Sequence, residues 1–228
     1  MKVIGLIPAR AGSKGIINKN LQEVDGRSLI QIAVESANKV SMFSNVYVSS
    51  DSEDILQIGS ECGATKIKRS DFASSDAARA EDVVSHFINF LGDDAKNDLV
   101  IVYLQPTSPF TTPSSIEACI NLFLKHKKPV ITVKKVTEHP DKMLTLDEAG
   151  VLSLYSADSQ PTKNRQDLQS LLLPTGGIYV FSIEDFFVAE AFPIMGAIPY
   201  LVTGKEALDI DTQLDLDLAR SLGSKDEF

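Results

Sequence analysis

Two cysteines, Cys62 and Cys119, are all that this chain holds, and they lie far apart with no ligand-like spacing. That excludes a disulfide framework and a Cys-based zinc site, and leaves two thiols packed as small hydrophobes. Histidine is equally sparse: His86, His126 and His139 share no metal-ligand spacing, and none sits where a general base is called for. The sequence contains no G-x-S-x-G elbow, no G-x-x-x-x-G-K-[ST] phosphate loop and no G-x-G-x-x-G fingerprint. Serine-hydrolase, P-loop and dinucleotide readings therefore have no local support. No apolar run approaches the roughly 18 to 20 residues of a membrane span. The opening apolar run is broken by Pro8 and Arg10, too early for a secretory leader, so a cytoplasmic location is expected with no membrane partner. Positive charge is short as well: the net charge is -9, which argues against sequence-independent nucleic-acid binding.

What is present reads as an ordinary soluble enzyme, 43% hydrophobic and 23% charged, long enough at 228 residues for one large domain. Strand-like and helix-like segments alternate. Residues 2–7, 46–48, 65–68, 99–104, 130–133, 176–181 and 198–202 have strand character. Residues 29–40, 53–63, 81–91, 113–127 and 183–191 repeat apolar positions at helical spacing. Thr112 followed by Pro113 is a capping residue before a proline at the first helical position. Such alternation predicts an α/β fold with a mainly parallel sheet, whose ligands bind where strands end. Between Val136 and Pro174 the pattern lapses, and a stretch of that length should have its own structural job.

Three local patterns carry chemistry. The first strand empties into Pro8-Ala9-Arg10-Ala11-Gly12-Ser13-Lys14-Gly15, followed by Lys19-Asn20-Leu21, with no acid before Glu23. A small-residue turn lets backbone N–H groups approach an anion, and Arg10, Lys14 and Lys19 would neutralise it. That combination suits a polyphosphate, although a solvated basic loop would look similar. Near the other end, in Leu208-Asp209-Ile210-Asp211-Thr212, residues two apart share a face if the segment is extended. Asp209 and Asp211 then point together while Ile210 turns into the core, and paired carboxylates suit Mg²⁺. Thr212 and Asp215 fit a helix start, and Asp211 could serve only that helix's dipole. Thirdly, Leu104-Gln105-Pro106-Thr107-Ser108-Pro109 leaves the central strand as a rigid loop. There Gln105 offers both donor and acceptor, and proline turn chemistry explains the loop as well. Arg69, at a strand end, suits base recognition or simply the surface.

These three patterns, in this order and spacing, resemble the acylneuraminate cytidylyltransferases, with a likeness running nearly end to end. Kdo cytidylyltransferases typically have Lys-Pro at Lys19-Asn20 and Arg at Lys14, so the resemblance favours a sialic-type, nine-carbon acid. It implies a three-layer Rossmann-like nucleotidyltransferase fold in one domain, 1–228, with 136–174 as a dimerisation excursion reaching a neighbouring subunit in a homodimer. It also implies Mg²⁺-dependent transfer of CMP from CTP to the anomeric hydroxyl of the sugar acid, releasing pyrophosphate. Arg10, Lys14 and Lys19 would neutralise the triphosphate, with Ala9, Gly12 and Ser13 forming its cradle. Asn20 would hold the ribose, and Arg69 with the loop at Ala78 would read cytosine. Gln105 would contact the sugar, Lys142 and Arg165 its carboxylate, and Phe192 its acyl group. Asp209 and Asp211 would hold the metal and orient or deprotonate the sugar hydroxyl. The chain departs from the family pattern at Thr111, where arginine is frequent, and at Thr175-Gly176-Gly177 in place of Asn-Gly-Ala. The loop with Ala77, Arg79 and Ala80 departs too, which leaves legionaminic, pseudaminic or Kdo-type acids open, as well as a non-catalytic CTP-binding sensor.

Overall fold

A computed structural model describes residues 1–12, 15–69, 79–95, 98–189 and 191–223. Its centre is a seven-stranded sheet built from β1 (Lys2–Pro8), β4 (Asn45–Ser50), β5 (Thr65–Lys68), β6 (Leu99–Leu104), β7 (Val130–Lys135), β10 (Leu172–Ser182) and β11 (Ile198–Leu201). The strand order is β11-β7-β10-β6-β1-β4-β5. β5, β4, β1 and β6 pair in parallel, β10 is antiparallel to both of its neighbours, and β11 is parallel to β7. The mainly parallel expectation is met, with one reversed strand in the middle.

Strand periodicity sorts the core into two faces. From β1, Val3 and Ile7 join one buried cluster, while Ile4 and Leu6 join the other. From β6, Val100, Val102 and Leu104 go to the first and Leu99, Ile101 and Tyr103 to the second. Buried on both sides, such strands must be nearly all apolar, as β6 is. The first face is covered by α1 (Leu29–Asn38), α2 (Glu53–Glu61) and α4 (Pro113–His126), and the second by α3 (Ala80–Leu91) and α5 (Ile183–Ala189). The result is three layers. Helix starts follow the sequence signals: Ser28, Ser52 and Thr112 each accept a backbone N–H three residues on.

Smaller elements complete the chain. Glu23–Val24 (β2) and Arg27–Ser28 (β3) form a tight ribbon, and Gln213–Gly223 (α6) closes the described chain. Between Lys135 and Leu172 the excursion holds a hairpin of Leu144–Leu146 (β8) and Leu152–Leu154 (β9) and two single turns. Its apolar side chains face outward: Leu146 is 65% exposed, Leu152 67% and Tyr155 66%. A third apolar cluster decides where the site forms. Ile16, Val24 and Leu29 from the beginning pack with Ile210, Leu216 and Ala219 from the end. No described helix is long and apolar enough to cross a membrane.

Candidate active site

The loops leaving β1, β5 and β6 converge with residues 209–211 around a polar cleft of about 450 Å³. Among its lining residues are Arg10, Gly15, Lys19, Asn20, Arg69, Arg79, Gln105, Asp209 and Asp211. Sequence separations of nearly two hundred residues are closed by direct contacts. Lys19 Nζ donates to Ile210 O at 2.7 Å and pairs with Asp211 Oδ1 at 3.0 Å. Gly15 lies so close that a Cβ there would stand 2.6 Å from Asp211 O. Only glycine allows that approach. Asn18, with φ 51°, turns the chain into the short 3-10 turn Lys19–Leu21. Asn20 is buried there: its Nδ2 donates to Arg10 O at 3.0 Å, and its Oδ1 has no partner among the described residues.

The acidic segment is clamped from the central loop. Ile210 N donates to Thr107 O at 2.9 Å, and Thr107 also hydrogen-bonds the Asp209 side chain. Asp209 is half-buried, and its Oδ1 is sealed from solvent with no partner among the described residues. Burial pushes the Asp209 carboxyl above its ordinary value, with Asp211 adding to the rise and Thr107, Lys19 and Lys134 opposing it. Asp211, by contrast, is exposed. Ile210 between them is fully buried, so the expected in-and-out alternation holds. The capping expectation for Thr212 and Asp215 holds too. Asp215 Oδ2 accepts from Thr212 N and Oγ1, both at 2.7 Å, and Asp215 N donates back to Thr212 Oγ1 at 3.3 Å. Asp211 N also donates to Asp215, at 3.2 Å, so one local network caps α6 and orients the Asp211 backbone.

The remaining expected residues divide. Arg69 is 6% exposed and borders the cleft; burial pulls its guanidinium below the usual arginine value, Asp51 and Tyr103 oppose that, and Arg10 adds to it. Gln105 lines the cleft, while the Ala9 side chain packs in the core and Gly12 faces open space. Ser13, Lys14 and Ala78 lie outside the described residues. Phe192 stands behind the cleft wall, with its ring centroid 4.9 Å from both Tyr103 and Tyr179; Tyr103 itself lines the cleft. Lys142 and Arg165 do not reach the cleft of their own chain. Lys142 Nζ donates to Pro161 O and Lys163 O at 3.1 and 2.7 Å, and Arg165 faces Glu138 at 4.0 Å on the excursion.

Sequence reasoning overlooked several participants. Asp51 Oδ1 accepts from Ala11 N at 2.9 Å and so holds the basic loop; its place after β4 was the available signal. Arg79 adds a further cation to the cleft. Thr107 was visible only as part of a proline-rich turn.

A family model described as "Cytidylyltransferase" matches residues 4–217. An N-acylneuraminate cytidylyltransferase of Streptococcus agalactiae is 31% identical over 94% of this chain and 52% of its own length. The chain thus spans about half the length of that relative. A CMP-N,N'-diacetyllegionaminic acid synthase of Legionella pneumophila and a pseudaminic acid cytidylyltransferase of Campylobacter jejuni are each 28% identical, over 97% of this chain and 96% of theirs. Among solved structures, a CMP:2-keto-3-deoxy-manno-octonic acid synthetase complexed with CTP superposes with a TM-score of 0.69 at 16% identity, covering 99% of both chains. That likeness is one of fold.

Proposed function

This chain belongs to the cytidylyltransferase family, and from that premise we propose that it transfers CMP from CTP to the anomeric hydroxyl of a sialic-type nonulosonic acid, releasing pyrophosphate. One observation carries the reading most. Cations from the first twenty residues and carboxylates from residues 209–211 share a single cleft, with Lys19 touching Asp211.

In the proposed reaction the sugar hydroxyl gives its proton to a carboxylate of the Asp209–Asp211 pair as its oxygen attacks the α-phosphorus and the bond to pyrophosphate breaks, so negative charge is redistributed along the triphosphate. Fixed cations stabilise that charge without reorganising, which is where most of the rate enhancement of phosphoryl-type transfer originates. Arg10 and Lys19 serve this role, with Lys14 assigned to it by family resemblance. Asn20 Oδ1, a buried acceptor without a partner among the described residues, is assigned to a ribose hydroxyl, and Arg69 and Ala78 are assigned to cytosine. Gln105 faces the sugar. Asp209 and Asp211 would hold Mg²⁺: two carboxylates, one with a sequestered oxygen that has no partner among the described residues, fit an ion that takes few protein ligands and completes its shell with water and phosphate oxygens. When bound, that ion supplies neutralisation of the triphosphate oxygens.

The exposed leucines of the excursion hairpin support a homodimer built through it, since so short a two-stranded ribbon is not stable alone. Arg165, on that excursion, is then available to a neighbouring sugar site. We place the reaction in the cytoplasm.

The test is incubation with CTP, Mg²⁺ and a panel of sialic, legionaminic, pseudaminic and Kdo-type acids, scored by pyrophosphate release and by the mass of the CMP-sugar. Turnover with a nine-carbon acid is expected. Preference for UTP or GTP would sink the assignment, and tight CTP binding without pyrophosphate release would point instead to a sensor.

A further inference from the structure

β10 is not a regular strand. Leu172–Pro174 pairs with Val133–Lys135, the register then shifts, and pairing with β7 resumes at Tyr179. In the gap Gly176 has φ 83°, a left-handed turn suited to glycine. Two buried threonines hold this bulge: Thr132, 3% exposed on β7, and Thr175, 4% exposed. Thr175 Oγ1 donates to Thr132 Oγ1 at 2.8 Å, and Thr132 O lies 3.3 Å from it. Thr132 Oγ1 in turn accepts Ile178 N–H at 2.9 Å and donates to Ile178 O at 3.3 Å. One hydroxyl thus replaces the ladder partners that the bulge removes, with its donor and both acceptor positions used.

The bulge abuts the cleft. A Cβ on Gly176 would stand 2.8 Å from Gln105 Oε1 and 3.4 Å from Asp209 Oδ2. Gly177 O accepts Gln105 N–H at 3.3 Å, and a Cβ on Gly177 would meet Thr111 and Ser108. Gln105 therefore rests on backbone whose path the two hydroxyls determine, with the Asp209 carboxylate beside the same turn. We propose that Thr132 and Thr175 are positioning residues: as a buried clasp they place the Gly176 turn, and through it Gln105, for the sugar acid. This rests on the function proposed above. Thr175 and Thr111, two of the departures from the family pattern, both belong to this arrangement.

The test compares T175V, T175S and G176A in the full chain. T175V keeps the side-chain volume and removes the hydroxyl. Its KM for the sugar acid should rise on the order of tenfold while that for CTP stays within about twofold, because displacing a positioning group harms only the substrate it positions. T175S should restore the parent value. G176A keeps both hydroxyls but strains the left-handed turn and meets Gln105 directly, so it should raise the same KM and shift the Gln105 resonance; if T175V does not fold, T175S and T132S replace it as the milder tests of the clasp. An activity-free readout is the side-chain amide resonance of Gln105, identified by its loss in Q105E, which should shift in T175V and return in T175S. A T175V protein of lowered Tm with unchanged KM values and an unmoved Gln105 resonance would overturn the clasp. Should no sugar acid turn over with the parent chain, the function falls while the Gln105 resonance still decides the clasp.

Discussion

Lys19→Met separates a structural strut from a catalytic cation. The substitution keeps most of the stem and deletes the charge. On the stability side the ammonium makes two contacts, to Ile210 O at 2.7 Å and to Asp211 Oδ1 at 3.0 Å, with side-chain exposures of 16% for Lys19 and 73% for Asp211. An ion pair with so exposed a carboxylate contributes about 0 to 1 kcal/mol. A hydrogen bond from a charged donor contributes about 1.5 to 3 kcal/mol. The retained apolar stem keeps its packing. The loss should therefore be about 1.5 to 4 kcal/mol, which lowers Tm by roughly 3 to 16 °C in a chain of this size. Turnover should fall much further, by about 10² to 10³, the usual consequence of removing one fixed charge from a developing oxyanion. Thermal melts paired with pyrophosphate release at saturating CTP, well below the melting range, measure both. Lys19→Arg should recover part of the rate. A folded Lys19→Met protein within tenfold of the parent rate would refute the catalytic role and leave Lys19 as a tether.

The Gly15–Asp211 approach makes its own prediction. A Cβ at 2.6 Å from Asp211 O falls about 0.7 Å short of the closest ordinary C···O contact of about 3.3 Å, so Gly15→Ala should push the basic loop off the acidic segment. A rise in the KM for CTP, with a stability loss of about the 1 to 3 kcal/mol typical of overpacking, is the expected pair of readings. Asp51→Ala should release Ala11 N and weaken CTP binding several-fold, measured by calorimetry, while Asp51→Asn, which keeps the acceptor, should do less. The Asp215 cap sets an acid limit. Slight burial raises its carboxyl, but hydrogen bonds from Thr212 and Asp211 outweigh that and hold it below its ordinary 3.8. A lowered native value means that the unfolded chain binds the proton first, so its stabilisation is present above that ordinary value and fades as pH falls below it. The Tm gap between the parent and Asp215→Ala should shrink through that window, and a gap that widens there would contradict the cap. Finally, sedimentation should give a dimer at micromolar concentration, and Leu146→Asp with Leu152→Asp should give a monomer.

Much of the architecture was legible because its signals are local. β6 is apolar throughout, as a strand covered on both faces must be, and its residues do alternate between two cores. Thr112 and Pro113 mark the start of α4 where they should. Ile210 turns inward between two acids because burying one isoleucine is worth more than burying either carboxylate. The reversed direction of β10 was not legible, since periodicity carries no sign of strand direction. Lys142, which the family resemblance assigns to a sugar carboxylate, donates to two backbone carbonyls of its own excursion, a contact that no local sequence signal marks.

The amino-acid sequence by itself determined the elements, the caps and the chemical character of each loop, because those follow from turn chemistry and from which face of a short segment must leave water. Only the tertiary structure decided that the loop after β1 meets residues 209–211, that Asp51 holds Ala11, and that a bulge in β10 supports Gln105. The first of these joins residues up to 196 positions apart, where a third apolar cluster brings Ile16 and Ile210 together. Burial of apolar surface has no direction of its own, so which loops end up facing each other is set by the topology that the whole chain can close.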